Sequence, residues 1–262
     1  MLSLGFKFYR AFFLVLTGLL LVLHFYTGLA WIWAVLPLFL FGGMIAWGSS
    51  NISSQFFMKT YCKGDASKKQ IALTFDDGPH AEVTPLILET LKKYGVKATF
   101  FVIGKNIPEN PRVIDKIHSE GHLIGNHSFS HANTFAFKSV KIVKNELKHT
   151  NLLVAGITGK EPAFFRPPFG VTSPRIAQAA NKLGFKTIGW SIRSLDTTSD
   201  SAEKITKRVL SQIKGGEIIL LHDTFLKTRE VLENILIYCQ NQNVEIVPLD
   251  KMLAEKAYVK KN

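Results

Sequence analysis

The run "IALTFDDGPH", residues 71–80, closes an apolar stretch on two adjacent carboxylates, Asp76 and Asp77, followed by Gly-Pro and a histidine. A turn needs only one Asp. Two like charges side by side either sit on a solvated turn or have positive charge between or beside them. "NHSFSH", 126–131, places His127 and His131 four residues apart, so that on one turn of helix they would share a face and could bind one metal ion. An isolated HxxxH is more often a pair of surface histidines. With an acidic pair at a neighbouring strand end, the set becomes His, His and Asp. Three ligands leave positions for water and substrate, as catalytic rather than structural metal sites do. "RPPFG", "RSLDTT" and "LLHD" add Arg166, Asp196, His222 and Asp223.

The elements that must position these groups alternate along the chain. Strands are expected at 71–75, 97–104, 122–128, 163–170, 186–192, 217–223 and 244–249, and helices at 84–95, 110–121, 138–156, 173–184, 201–216 and 228–242. Pro111 and Pro174 stand in first turns, and Gly95, Gly121 and Gly184 stand at helix ends. Alternation of this kind predicts an α/β fold with a parallel sheet under covering helices. Seven repeats suit a barrel more than an open sheet. In that frame Asp76, Asp77, His127, Arg166, Asp196, His222 and Asp223 all fall at or just after C-terminal strand ends, which converge on one face.

"TFDDGP", "HSFSH", "RPPFG" and "LLHD" resemble, in the same order, four of the five motifs of the polysaccharide deacetylase (NodB-homology) family, over about residues 70–250. The resemblance implies a distorted seven-stranded (β/α) barrel. It also implies an enzyme that removes acetyl groups from N-acetylated sugars with a divalent metal, commonly zinc. Asp77, His127 and His131 would hold the metal, which lowers the pKa of water and polarises the amide carbonyl. Asp76 would be the general base, paired with and oriented by Arg166. His222 would be the general acid, a role suited to its near-neutral pKa. Asp196 would orient and tune His222. Pro168, Phe169 and Leu220 would line the substrate site, with the backbone at Phe169, where many members have Tyr, helping to form an oxyanion pocket. The fourth motif departs from the family pattern: Arg193 replaces its first Asp and Thr197 its Trp, which alters the wall beside His222 rather than the metal site. Other readings of the same chemistry are hydrolysis of another non-peptide C–N bond, such as one in a lipid-linked sugar, or a non-catalytic carbohydrate-binding homologue.

Ahead of this domain, residues 11–47 contain no Asp, Glu, Lys or Arg. The run is too long for one span and about right for two, so a transmembrane hairpin is expected, Ala11 to Tyr26 and Trp31 to Trp47, turning at "TGLA". A secretory signal has a shorter apolar core and a small-residue cleavage site. The organisation is therefore a membrane anchor over 1–50, a polar linker over 51–69 and a catalytic domain over 70–255, at the cell membrane and in contact with its bilayer. Lys7 and Arg10 precede the run and Lys59, Lys63, Lys68 and Lys69 follow it. A hairpin lets both flanks face the cytoplasm, but long domains translocate regardless of charge, so the side of the domain stays open. The formal charge of +12 favours anionic partners, but the lysines are scattered and no nucleic-acid motif accompanies them. Two cysteines, Cys62 and Cys239, without CxxC, exclude a disulfide framework.

Overall fold

Two apolar helices open the chain, the first uninterrupted until Gly28 and the second carrying Pro37 within it. A computed structural model describes residues 2–259. Helix α1, Leu4–Thr27, is capped by the Ser3 hydroxyl and stops where Gly28 takes a left-handed φ of 71°. Helix α2, Ile32–Ser50, returns antiparallel to it. Both are long and apolar enough to cross a membrane. Their outer faces stay bare, with Phe25 and Phe39 among the most exposed side chains. At the domain end Phe6 packs edge-on against Phe56 and Phe57, and the Ser3 amide donates to the Phe57 carbonyl (2.9 Å).

The segment 51–69, expected as a polar connector, is structured in its first half. It buries Phe57 fully and forms a short strand β1, Thr60–Tyr61. The sheet continues with β2 (Gln70–Asp76), β3 (Thr99–Val102), β4 (Leu123–Asn126), β5 (Phe164–Phe165), β6 (Lys186–Ile188), β7 (Ile192–Arg193), β8 (Glu217–His222) and β9 (Glu245–Ile246). Between them run α3 (Val83–Lys93), α4 (Pro111–Ser119), α5 (Val140–Thr158), α6 (Pro174–Lys182), α7 (Ala202–Leu210) and α8 (Lys227–Asn241), with α9 (Leu249–Leu253) last. All strand pairs are parallel, in the order β1-β6-β5-β4-β3-β2-β8-β7, with β9 joining the start of β2. The strands read as continuous apolar runs because both faces are covered; all of β2 is buried.

The expected seven-stranded barrel is present in distorted form. The fifth predicted strand, 186–192, is split. Its first half pairs with β5 and β1, and after Gly189–Ser191 its second half pairs with β8 at the opposite edge of the sheet. One continuous segment thus nearly closes a curled sheet without a complete ladder. The split arises because the Ile188 and Gly189 carbonyls turn inward to accept from Arg166 rather than from a neighbouring strand.

Candidate active site

Strand β2 delivers Asp76 as its last residue, and Asp77 leaves the strand at a left-handed φ of 76°. The turn is pinned by β3's exit: Ile103 N–H donates to Gly78 O (2.8 Å) and Asn106 Nδ2 to Asp77 O (3.1 Å). Gly78 is required by close approach, since a Cβ there would overlap the Asp223 carboxylate. His127 and His131 do not share a helical face as the spacing suggests. They lie on a loop after β4 in which Ser128 and His131 both have positive φ, and this loop, not a helix, brings the rings to a centroid distance of 4.8 Å. The Ser128 hydroxyl accepts from the His131 amide, and Glu146 on α5 holds Ser130. Non-glycine residues avoid positive φ. Asp77, Ser128, His131, Phe169 and Leu195 adopt it in the loops around this one face, which is where such strain tends to concentrate in proteins.

The side chains converge. Asp77 Oδ1 lies 3.5 Å from His127 Nε2 and 3.3 Å from His131 Nε2, and has no hydrogen-bond donor although buried. His127 Nδ1 lies 2.8 Å from the Arg166 carbonyl and donates to it, which fixes the tautomer that turns Nε2 toward Asp77. Burial opposes ionisation of Asp77, but the close approach of His127 and the charges of His127, His131 and His222 outweigh it and bring its pKa down to about 2. Burial, with His127 beside it, lowers His131 to about 4. Burial also works against charge on His127, yet the Asp76 and Asp77 carboxylates raise it. An orphaned buried carboxylate oxygen facing two imidazole nitrogens is the donor set of a divalent-cation site, and the residues fit one.

Arg166 is fully buried. Its Nη1 donates to Asp76 Oδ1 (2.7 Å) and Thr74 Oγ1 (2.9 Å), its Nη2 to Gly189 O (2.8 Å), and its guanidinium lies 4.2 Å from the Phe101 ring centroid. Asp76 Oδ1 is therefore occupied, while Oδ2 points toward His127 Nε2 at 3.7 Å. Arg166→Met would strand Asp76 as an unpaired buried charge. We expect it to lower unfolding stability of the full chain by about 3–5 kcal/mol, read from denaturant midpoints; an unchanged midpoint would deny the pair its structural weight.

Across the cleft, β8 sets His222 directly beside Asp76 in register. His222 Nδ1–H donates to Asp196 Oδ1 (2.7 Å), leaving Nε2 as the free ring nitrogen. Asp196, fully buried, also accepts from the His222 amide, Ser194 Oγ and Thr228 Oγ1 at 2.8–2.9 Å. Burial favours the neutral His222 ring, but the Asp196 hydrogen bond and charge raise its pKa overall. Asp223 is buried with one oxygen bound to Thr84 Oγ1 (2.6 Å) and the other unpartnered; burial pushes it up to about 7.

Asp76, Asp77, His127, His131 and His222 border a cleft of about 250 Å³, and Arg166, Asp196 and Asp223 are buried behind them. Phe169, half exposed with its ring 4.5 Å from His131, and Leu220 also border the cleft. Pro168 does not: it is buried behind Phe169, because the tight turn over 168–170 faces its ring inward. Arg193 and Thr197 do border the cleft. Trp190, which sequence reasoning passed over, supplies an aromatic wall, and Gly170, at φ 69°, is needed because a Cβ there would strike that indole. A lone Trp in a predicted strand reads as core; only the break at Gly189 hinted otherwise.

Comparison with known proteins gives the family. The family described as polysaccharide deacetylase matches residues 63–188. The peptidoglycan-N-acetylglucosamine deacetylase PgdA of Listeria monocytogenes is 37% identical over 195 residues, 74% of this chain and 41% of its own length. The chain therefore spans about two-fifths of that relative. The solved structure of the Bc1960 peptidoglycan N-acetylglucosamine deacetylase superposes with a TM-score of 0.73 at 34% identity, covering 76% of this chain and 94% of the other. BA3943 of Bacillus anthracis, described as a CE4 family pseudoenzyme, gives 0.70 at 29% identity, covering 74% and 68%. The chain belongs to the polysaccharide deacetylase family.

Proposed function

We propose that this chain is a membrane-anchored hydrolase that removes the acetyl group from an N-acetylated sugar in a polysaccharide or glycoconjugate, using a divalent cation, with zinc the best fit to two imidazoles and a carboxylate. The observation that carries the reading is the meeting of two differently wired groups across one cleft: Asp76, clamped on one oxygen by Arg166, and His222, clamped on one nitrogen by Asp196. Asp77, His127 and His131 would hold the cation, which when bound polarises an acyl carbonyl and makes water a stronger acid. Asp76 Oδ2 takes the proton of the attacking water. The C–N bond breaks as His222 Nε2–H gives its proton to the departing amine, and acetate and a free amino sugar leave. The turn at Phe169 presents backbone toward the carbonyl oxygen. Helices α1 and α2 serve as a two-span anchor, consistent with their bare apolar surface and the cations at their domain end.

A fold shared with a pseudoenzyme does not by itself imply turnover. What separates the active reading from a non-catalytic one is that the Asp76, Asp77, His127, His131 and His222 set is complete. Purified full chain should release acetate from N-acetylglucosamine oligomers, lose that activity to a chelator and regain it with zinc or cobalt. Absence of acetate from any N-acylated sugar, with cation measured in the protein, would overturn the reading.

A further inference from the structure

A second cavity, about 310 Å³, lies where the anchor meets the catalytic domain. Ile45 and Ser49 on the last turns of α2 form one wall, Phe137 another, and Val171 to Arg175 the third. Phe137 is 77% exposed, yet its backbone is fixed: Phe135 beside it is buried, and Arg175 Nη1 donates to the Phe137 carbonyl at 2.7 Å. With Ile45, Ala136 and Val171, Phe137 lines one contiguous apolar surface, and contiguous apolar surface, rather than a single exposed side chain, marks a contact site.

Its height relative to the anchor identifies what covers it. Helices α1 and α2 pack antiparallel, so the start of α1 and the end of α2 lie together at the domain end. Lys7 and Arg10 on α1 and the exposed Trp47 on α2 mark that end as headgroup level, where cations and tryptophans anchor spans. The cavity, between Ile45 and Ser49, straddles the level of Trp47 and is continuous with the bare face of α2. Arg175 at its edge offers a cation to a lipid phosphate. The wall is also tied to chemistry. The Thr172 amide and hydroxyl donate to Ser49 and Gly48 carbonyls of α2 (3.0 and 3.2 Å), and two residues earlier the same segment is Gly170, a wall of the catalytic cleft.

We propose that the rim made by residues 135–137 and 171–175 is a bilayer-docking surface that takes phospholipid acyl chains into this cavity and holds the mouth of the catalytic cleft against the membrane. The sugar attacked is then one lying close to the membrane surface. This rests on α1 and α2 spanning the bilayer.

The test uses full chain in nanodiscs of phosphatidylcholine and phosphatidylglycerol whose acyl chains are brominated near the headgroup, with tryptophan emission as readout. In a chain carrying Trp31→Phe, Trp33→Phe and Trp47→Phe, the indole introduced by Phe137→Trp should lose most of its emission, relative to unbrominated discs, while Trp190 is unaffected. If that indole keeps its emission while Trp47 of the unsubstituted chain is quenched, the anchor stands and the docking surface falls. If Trp31, Trp33 and Trp47 are all unquenched, anchor and docking surface fall together. As a second arm, Phe137→Ser should slow hydrolysis of an N-acetylated glycolipid in the same discs and leave a soluble oligomer untouched. Equal slowing of both would overturn the link between docking and cleft.

Discussion

Asp77→Asn is expected to leave the purified chain without bound cation, whereas Asp76→Asn is expected to keep the cation and lose turnover. The two residues are neighbours of the same type, yet their surroundings differ. Asp77 Oδ1 has no hydrogen-bond donor and faces two imidazole nitrogens at 3.3 and 3.5 Å. Replacing the carboxylate by an amide removes the charge from the three-residue donor set. Asp76 has Oδ1 engaged by Arg166. An asparagine there can still accept that hydrogen bond through its carbonyl, so the pocket keeps its shape, but the oxygen facing the cleft becomes an amide that takes no proton. Loss of a positioned base costs about 10²–10⁴-fold in rate. Metal content by atomic emission and acetate release, measured on the same preparations, separate the two. If Asp76→Asn lost its cation as fully as Asp77→Asn, Asp76 would be a ligand and the division of labour proposed for the pair would be wrong.

How far this site could be read from sequence depended on contrast. A strand buried on both faces is a run of apolar residues, so Asp76 at the end of "IALTF" and His222 at the end of "EIILL" stand out against what precedes them. The fold followed from the same alternation. What supports the reactive groups carried no such contrast. Thr74, Ser194 and Thr228 look like ordinary β-branched or small residues, yet they bind Arg166 and Asp196. Strand β1 and the halves β6 and β7 are two or three residues long, too short to show a period. The helical expectation for His127 and His131 failed because Ser128 and His131 turn left-handed without a glycine to announce it.

Arg166 explains why the support could not be seen locally. Its carbonyl orients His127, its guanidinium clamps Asp76, and it draws in the two carbonyls at which the fifth barrel strand splits. One side chain therefore links the cation ligands, the base and the incomplete closure of the sheet. The partners are up to 92 positions away in sequence, beyond any window in which spacing carries information.

Asp196→Asn should move the alkaline limb of kcat/KM to lower pH. A general acid must hold its proton, so the limb marks where His222 loses it. In the folded chain the Asp196 hydrogen bond and charge raise the His222 pKa against the opposing effect of burial. Removing one adjacent opposite charge lowers such a pKa by about 1–3 units. The variant should thus fall behind the parent most at and above neutral pH, by about tenfold for each pH unit the limb has moved, and recover part of its rate in mild acid. Stability gives a second readout with the same sign. Because His222 is raised above its ordinary 6.5, its pairing with Asp196 contributes fully below that pH and is lost as pH rises through the folded value. Asp196→Asn should therefore cost more stability in mild acid than in alkali. If the alkaline limb stays where it was while stability changes in this way, Asp196 would still hold His222 in place, but His222 would not be the acid that limits the reaction.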